Sequence, residues 1–132
     1  MILYLDTIEN TSKLGLFDQN ARLIDEYVFE GAGVLSEELL PNIDSFLSKN
    51  KLTKKDISAI AVNPGPGPYT GTRIGVTTGN LIAFVLNIPT IRVHGAQDIK
   101  PNIGKLPIKK LFLSPVLPIY KYPPRITKKK VD

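Results

Sequence analysis

Three features of the sequence carry residues suited to chemistry: an aspartate after the first apolar run, a lone histidine and a glycine-rich segment. Asp6 could bind a divalent cation, but such a site needs several oxygen ligands, and no phosphate-binding glycine occurs in residues 7–11. We therefore expect Asp6 to cap a turn. His94 accompanies no serine or cysteine nucleophile in a recognisable motif, so we expect a surface or packing residue.

The glycine-rich segment, residues 65–73, stands between a predicted strand and a predicted helix, an arrangement that can cradle phosphate on backbone N–H groups. Three of the six residues before Tyr69 are prolines, which have no N–H to donate. The lysine of a P-loop is also missing from the segment. We therefore interpret it as a rigid turn that aims the following helix. Its structural glycines are Gly65, Gly67 and Gly71.

The helix predicted over about 72–86 has apolar residues around nearly its whole circumference. Burying one side against a sheet would leave a second apolar side in water, so something must cover it. Gly75, Gly79 and Ala83 recur every four residues and would let a neighbouring helix approach closely. The neighbouring helix could be the first helix of this chain. We expect the two helices to pair and their outer surface to take a partner's helices.

Hydrophobic periodicity predicts the elements that must position this helix. Apolar stretches at 2–5, 14–17 and 23–29, separated by polar turns that include residues 9–12, predict a β-meander. Residues 57–62 are small and apolar on both faces, which is typical of a central strand. One more strand is predicted at 90–93, which completes a strand–helix–strand crossover.

An apolar stripe from Leu35 to Leu47 predicts a first helix, with Ser36 as the N-cap and Pro41 bending the axis. The resulting order is three strands, helix, strand, helix and strand. It predicts an α/β fold with a mixed sheet of about five strands and two main helices, the order of one RNase H-like or actin-like half. We assign this domain to residues 1–99.

The net charge of +5 belongs to the C-terminal part of the chain. Residues 1–100 hold nine Lys/Arg and eleven Asp/Glu, whereas residues 101–132 hold eight Lys/Arg and only Asp132. Six of the eleven prolines also lie there, so we expect residues 100–132 to form an extended strap. Basic residues interleaved with tyrosines could contact the phosphates of an RNA, and a solvated basic end is the alternative. The predicted RNA contacts are Lys121, Arg125, Lys128, Lys129 and Lys130.

The chain has no cysteine, which excludes disulfides and thiolate metal sites, and its single histidine disfavours a histidine-based metal site. No apolar run reaches the roughly 18 residues of a membrane span, and the N-terminus lacks the features of a signal peptide. We therefore expect a cytoplasmic protein with no membrane partner, no cofactor and no metal.

Residues 65–76 read Gly-Pro-Gly-Pro-Tyr-Thr-Gly-Thr-Arg-Ile-Gly-Val, which resembles the Gly-Pro-Gly-Ser-Phe-Thr-Gly-Leu-Arg-Ile-Gly-Val signature of the TsaB (YeaZ) family. Pro68, Tyr69 and Thr72 stand where the signature has Ser, Phe and Leu. The family normally has a second α/β half, of which only the tail after Ile99 remains, so we interpret the chain as a reduced TsaB. Further similarity lies in residues 2–7, 36–43, 83–84 and 87–89, and more loosely in 118–128.

The resemblance implies an actin-like ATPase fold and a non-catalytic subunit that forms a heterodimer with the transferase TsaD. TsaD, assisted by the ATPase TsaE, transfers threonylcarbamoyl to the adenosine next to the anticodon of tRNA. In TsaB relatives the two helices form a helical bundle with TsaD. The partner-binding residues expected from this resemblance are Ser36, Leu39, Leu40, Ile43, Tyr69, Thr70, Arg73, Val76, Gly79, Asn80 and Ala83.

Two other classes of function stay open at the level of sequence. One is a small actin-like ATPase or nucleotide-binding protein that uses Asp6. The other is a homodimer or RNA-binding module in which the same helices pair with themselves. A TsaB-like scaffold isolated from its partner would also be expected to form a homodimer, because its apolar helix faces need cover.

Overall fold

The computed structural model describes residues 1–9, 11–30, 35–103 and 115–119. Within these ranges five strands form one mixed sheet, which confirms the predicted α/β class. Two short 3₁₀ turns, Lys54–Asp56 and Ala96–Asp98, lie between the main elements. In chain order these elements are β1 (Ile2–Asp6), β2 (Thr11–Phe17), β3 (Leu23–Glu30), α1 (Leu35–Lys49), β4 (Ala59–Val62), α2 (Tyr69–Leu86), β5 (Thr90–Arg92) and α3 (Ile99–Ile103).

The sheet has the strand order β3-β2-β1-β4-β5. Pairing is antiparallel from β3 through β2 to β1, and parallel from β1 through β4 to β5, so the predicted meander and crossover are both confirmed. All four residues of β4 are buried, as expected for a strand covered on both faces. The first turn is shorter than predicted, because Thr11 and Ser12 already pair with β3.

Alternate residues of β1 supply two separate cores on the two faces of the sheet. Leu3 and Leu5 pack under α1 and α2 in the larger core. Ile2 and Tyr4 face the opposite side, where Ile99 at the start of α3 helps to cover them. The sheet is therefore enclosed by the two main helices on one face and by a much smaller cover on the other.

The starts of both main helices differ from the predictions. Leu35 is already helical, so Ser36 lies in the first turn and its predicted role as the N-cap is wrong. The helix continues through the exposed Pro41 to Lys49. Helix α2 begins at Tyr69, three residues before the predicted start, because Pro68 leads directly into its first turn and accepts the Thr72 N–H.

Helix α2 ends at Leu86 because Asn87 adopts the left-handed conformation, with φ of 55°. The Asn87 N–H donates to the carbonyls of Ala83 and Phe84 and so caps the last turn. The predicted boundary between residues 99 and 100 falls within α3. The assignment of 100–132 as a separate strap stays a prediction, because most of that range lies outside the described residues.

Candidate functional site

One side of α2 packs directly on the sheet through its smallest residues. A Cβ atom on Gly79 would lie 2.5 Å from Val62 Cγ2 and 3.3 Å from Leu5 Cδ1. A Cβ on Gly75 would overlap the Thr7 hydroxyl. The prediction that this stripe of small residues admits a neighbouring helix is therefore wrong, since strands β1 and β4 and the turn after β1 occupy it.

This orientation places nearly half of the predicted partner-binding residues inside the chain's own core. The buried members come from both helices and pack against the sheet or against each other. In the isolated chain they are not available to a partner. They are Leu39, Ile43, Val76, Gly79 and Ala83.

The opposite side of α2 presents large apolar side chains to solvent. Phe84 is 84% exposed, Val85 70% and Leu81 53%, and Leu40 of α1 is 44% exposed. We call the surface formed by these four residues the outer face. Arg73 is the single charged residue among the eighteen of α2. Monomeric soluble proteins rarely leave large contiguous apolar patches uncovered, so the outer face has the character of a protein-binding surface.

Periodicity predicts a surplus apolar side on α2, but the predicted partner-binding residues do not include Leu81, Phe84 or Val85. The signal was present in the spacing. At about 100° per residue, Leu81 is turned by about 200° from Gly79, which faces the sheet. If the glycines are assumed to face the sheet, the helical rotation places Leu81, Phe84 and Val85 on the side that faces away from it.

A groove of about 170 Å³ lies between α1 and α2 beside the outer face. This volume is comparable to that of engineered apolar cavities that bind benzene, and it would accept one apolar side chain. The two charged residues of its lining, Asp44 and Lys54, form an exposed ion pair at 3.8 Å. The remaining lining residues are Leu3, Leu40, Ile43, Leu47, Ile57, Leu81, Ile82, Val85 and Leu86.

The first turns of α2 are polar where the last turns are apolar. The Arg73 guanidinium lies 5.1 Å from the centre of the Tyr69 ring, and its Nη1 donates to the Tyr69 hydroxyl at 3.3 Å. Thr70 is exposed beside them in sequence. Three predicted partner-binding residues thus lie near the surface at this end of α2, and Ser36 and Leu40 are likewise exposed on α1.

Asn80, another predicted partner-binding residue, holds a later part of this chain. Its side-chain amide donates to the Val116 carbonyl at 2.7 Å and accepts the Val116 N–H at 2.9 Å. The Ile119 N–H donates to the Pro64 carbonyl at 2.6 Å. Residues 115–119, which we call the strap segment, therefore join the flank of α2 to the turn before it.

The strap segment closes over the glycine-rich turn. Gly65 has φ of 105°, and a Cβ there would overlap the Ile119 carbonyl oxygen. The His94 Nδ1 lies 2.9 Å from the Gly65 carbonyl, so this nitrogen carries the proton and donates. A Cβ on Gly67 would lie 2.8 Å from Ile8 Cβ. Close contacts on several sides, together with the prolines, leave the turn poorly suited to hold phosphate.

The carboxylate of Asp6 is engaged by groups of the chain itself. It accepts the Tyr4 hydroxyl at 2.7 Å, the Asn63 amide at 3.2 Å and the Ile8 N–H at 3.3 Å. Burial, and then the hydrogen bond to Asp6, raise the pKa of Tyr4, so its hydroxyl keeps its proton and donates. The bond from Ile8 confirms that Asp6 caps the turn after β1.

Three other points bear on binding. The predicted RNA contacts, Lys121, Arg125 and 128–130, lie outside the described residues and stay predictions. Across the ranges that the structure covers, no group of three His, Cys, Asp or Glu side chains could hold a metal ion. Among the helices of those ranges, none has the length and apolar character needed to cross a bilayer.

Similarity to known proteins supports one family. The family described as "TsaD: tRNA N6-adenosine threonylcarbamoyltransferase" matches residues 32–102, more than half of the chain. The tRNA threonylcarbamoyladenosine biosynthesis protein TsaB of Bacillus subtilis (strain 168) is 34% identical over 101 residues. The matched region is 76% of this chain and 44% of the Bacillus protein.

Two solved structures from Pseudomonas aeruginosa share the fold. YeaZ has a TM-score of 0.63 and 27% identity, over 70% of this chain and 42% of YeaZ. A protein described as similar to peptidase YeaZ has a TM-score of 0.64, with the same identity and coverage. This chain spans less than half the length of these relatives, and its fold is the actin-like, RNase H-like α/β arrangement. The chain belongs to the TsaB (YeaZ) family.

Proposed function

We propose that this chain acts in tRNA threonylcarbamoyladenosine biosynthesis as a non-catalytic subunit that binds a TsaD-type threonylcarbamoyltransferase. Membership of the TsaB family supports the process. The outer face supports the binding role, and the observation that carries it is the 84% exposure of Phe84 on a helix with a single charge. An aromatic side chain so exposed on an apolar patch is typical of an interface anchor.

In this proposal helices of the partner pack along α1 and α2. Burying an exposed Leu, Val or Phe side chain contributes about 1.5–3 kcal/mol, so Leu81, Phe84 and Val85 together supply several kcal/mol. One apolar side chain of the partner enters the groove between the helices. Arg73 and Thr70 supply polar contacts at the edge of the same surface, as is usual around an apolar interface core.

We place the catalytic chemistry on the partner and ATP hydrolysis on a TsaE-type ATPase in the same complex. Two features of this chain support that division. The Asp6 carboxylate is satisfied by three internal donors. The glycine-rich turn is closed by Ile119 of the strap segment. Contact with tRNA then occurs through the partner or through the basic tail.

The test is coexpression of the full chain with the TsaD protein of the same organism, followed by light scattering at micromolar concentration. We expect a heterodimer whose mass exceeds that of TsaD by the 14.5 kDa of this chain. A chain that elutes apart from TsaD contradicts the proposal. A homodimer that persists when TsaD is added in excess supports self-pairing of the helices instead.

A second measurement separates the scaffold from a nucleotide-binding protein. Thermal unfolding of the full chain is followed with and without ATP, for the wild type and for Asp6→Ala. The proposal expects no ATP-dependent shift in the unfolding temperature of either. Stabilisation by ATP that is lost in Asp6→Ala would instead support a small actin-like ATPase.

A further inference from the structure

A second concave surface lies on the opposite flank of α1, between that helix and the edge strand β3. Its volume is about 410 Å³, more than twice that of the groove between the helices. We call it the acidic groove, since three of its eight lining residues are glutamates. The lining residues are Tyr27, Phe29, Glu30, Glu37, Glu38, Pro41, Asn42 and Ser45.

One wall of the acidic groove is aromatic and belongs to an open edge of the sheet. Strand β3 has β2 as its single neighbour among the described strands, so the backbone groups on its other side have no strand partner there. The rings of Tyr27 and Phe29 stack at 5.5 Å, and Tyr27 is 39% exposed. An aromatic surface next to carboxylates is suited to Lys and Arg side chains, whose stems pack on rings and whose heads pair with acids.

The glutamates of this groove have no neutralising partner within the described chain. The neighbouring acids Asp25 and Glu26 are paired with Lys49 and Lys13, at 3.3 and 3.4 Å. No ion pair of the described residues includes Glu30, Glu37 or Glu38. The sequence that joins Glu30 to α1 is Gly-Ala-Gly-Val, which carries no side-chain charge. Within the described residues, the negative charge of the acidic groove is therefore not neutralised by an ion pair.

We propose that the acidic groove binds the C-terminal segment of this chain, residues 120–132. That segment carries five Lys/Arg against the single Asp132, so its charge is opposite to that of the groove. Ile126 and Val131 flank its lysine cluster and can pack on the aromatic wall while the lysines pair with the glutamates. The acidic groove is negative and residues 120–132 of the same chain are positive. This opposite charge is the reason for choosing the C-terminal segment as the occupant.

Residues 120–132 begin at the same end of the sheet as the acidic groove. Glu30 pairs with Thr11, and Thr11 begins β2 just after β1 ends at Asp6. Because β4 is parallel to β1, it ends at this same end of the sheet, and Pro64 follows it there. The Ile119 N–H donates a hydrogen bond to the Pro64 carbonyl. The acidic groove and the start of the segment therefore share one end of the sheet.

The segment is also long enough to reach from Pro64, after β4, to the acidic groove beside β3. From β4 to β3 there are three strand spacings, about 14 Å in total. Thirteen residues follow Ile119, and in extended form they span about 43 Å. Docking within one molecule is therefore sterically accessible. It would cover the open edge of β3 and occupy the lysines that were predicted to contact RNA.

The full chain allows a direct test because it has no cysteine, so two introduced cysteines are the only thiols of each molecule. Ser45→Cys places a thiol in the acidic groove and Val131→Cys places one near the chain end. The control pair is Thr77→Cys with Val131→Cys, since Thr77 is exposed on α2. With oxidised glutathione as the oxidant, we expect the groove pair to form a monomeric disulfide at least about tenfold faster than the control pair.

Charge variants in the same background test the cause. Glu37→Gln with Glu38→Gln should reduce the rate of the groove pair to that of the control pair. Glu26→Gln with Asp44→Asn changes the net charge equally at two acids that do not line the acidic groove and are already paired with lysines, and should leave the rate unchanged. About 0.5 M NaCl should slow the groove pair selectively, because ions screen exposed charge pairs.

Three results would overturn the proposal. The groove pair could react no faster than the control pair. Its rate could be indifferent to loss of both glutamates. A disulfide-linked dimer in place of the monomer would show that the tail binds a second copy. Circular dichroism of each variant verifies that the fold is intact, so a slow rate cannot arise from unfolding.

Discussion

The two sides of α2 have opposite relations to the rest of the chain. The inner side carries Gly75 and Gly79 and lies on the sheet, whereas the outer side carries Leu81, Phe84 and Val85 and is largely exposed. The smallest side chains are buried and the largest apolar ones are left outside. A helix that is apolar all round must therefore be interpreted by side-chain volume as well as by polarity, because close approach to a sheet selects small residues.

Between its inner and outer sides, α2 has a flank that contacts the strap segment. Asn80 is polar and lies where a partner contact was predicted, yet it makes two hydrogen bonds to Val116 of the strap segment. The strap segment continues to Ile119, whose N–H donates a hydrogen bond to the Pro64 carbonyl. The chain therefore uses two of the three surfaces of α2 for itself and leaves the outer face open.

The largest effect is expected on the inner side, from Gly79→Leu. Leucine is a good helix former, so the loss must come from steric overlap with Val62 and Leu5. We expect the free energy of unfolding, measured by urea titration, to fall by more than about 3 kcal/mol. The matched control is Thr77→Leu on the exposed part of the same helix, expected to stay within about 0.5 kcal/mol of the wild type.

Equal stability of these two variants would contradict the assignment of the glycine stripe to the sheet. The result also bears on the choice of interface variants. A bulky residue at position 79 would abolish partner binding by disrupting the fold, so such a loss of binding would say nothing about the interface.

An intermediate effect is expected on the flank, from Asn80→Ala. This change leaves the Val116 N–H and carbonyl without their partners, which costs about 1–3 kcal/mol for buried groups. The same urea titration measures it. Leu117→Ala is the control, because Leu117 belongs to the strap segment but is 70% exposed. If Asn80→Ala is as stable as Leu117→Ala, the strap segment is not held by Asn80.

Much of the fold followed from periodicity in the sequence. The five strands, the meander and the crossover were all predicted, because alternation and buried runs report directly on which faces of a strand are covered. The ends of the helices were less accurate. Pro68 was expected to stand in the turn, but its φ of −57° is compatible with leading straight into α2.

The surplus apolar side of α2 was predicted in kind but not in its residues. Periodicity shows that α2 has a surplus apolar side, but not which side meets the sheet. That choice is made by contacts between residues far apart in the chain, such as Gly79 with Val62 and Leu5. The role of Asn80 depends on a segment 36 residues away, and no local pattern reports such a contact.

The smallest effect on stability is expected on the outer face. Phe84→Ser removes a side chain that is 84% exposed, so the free energy of unfolding should stay within about 0.5 kcal/mol of the wild type. Val28→Ser provides a matched control, because Val28 is an exposed apolar residue on β3. A large loss of stability in Phe84→Ser would show that this side chain packs within the chain.

The most direct test of the central claim is the dissociation constant of the complex with TsaD, measured by titration calorimetry for these same two variants. We predict that Phe84→Ser weakens binding at least about tenfold, or about 1.4 kcal/mol, because it removes an interface anchor. Val28→Ser should bind as the wild type does. Unchanged affinity in Phe84→Ser, with weakened affinity in Val28→Ser, would contradict the account and move the interface to β3.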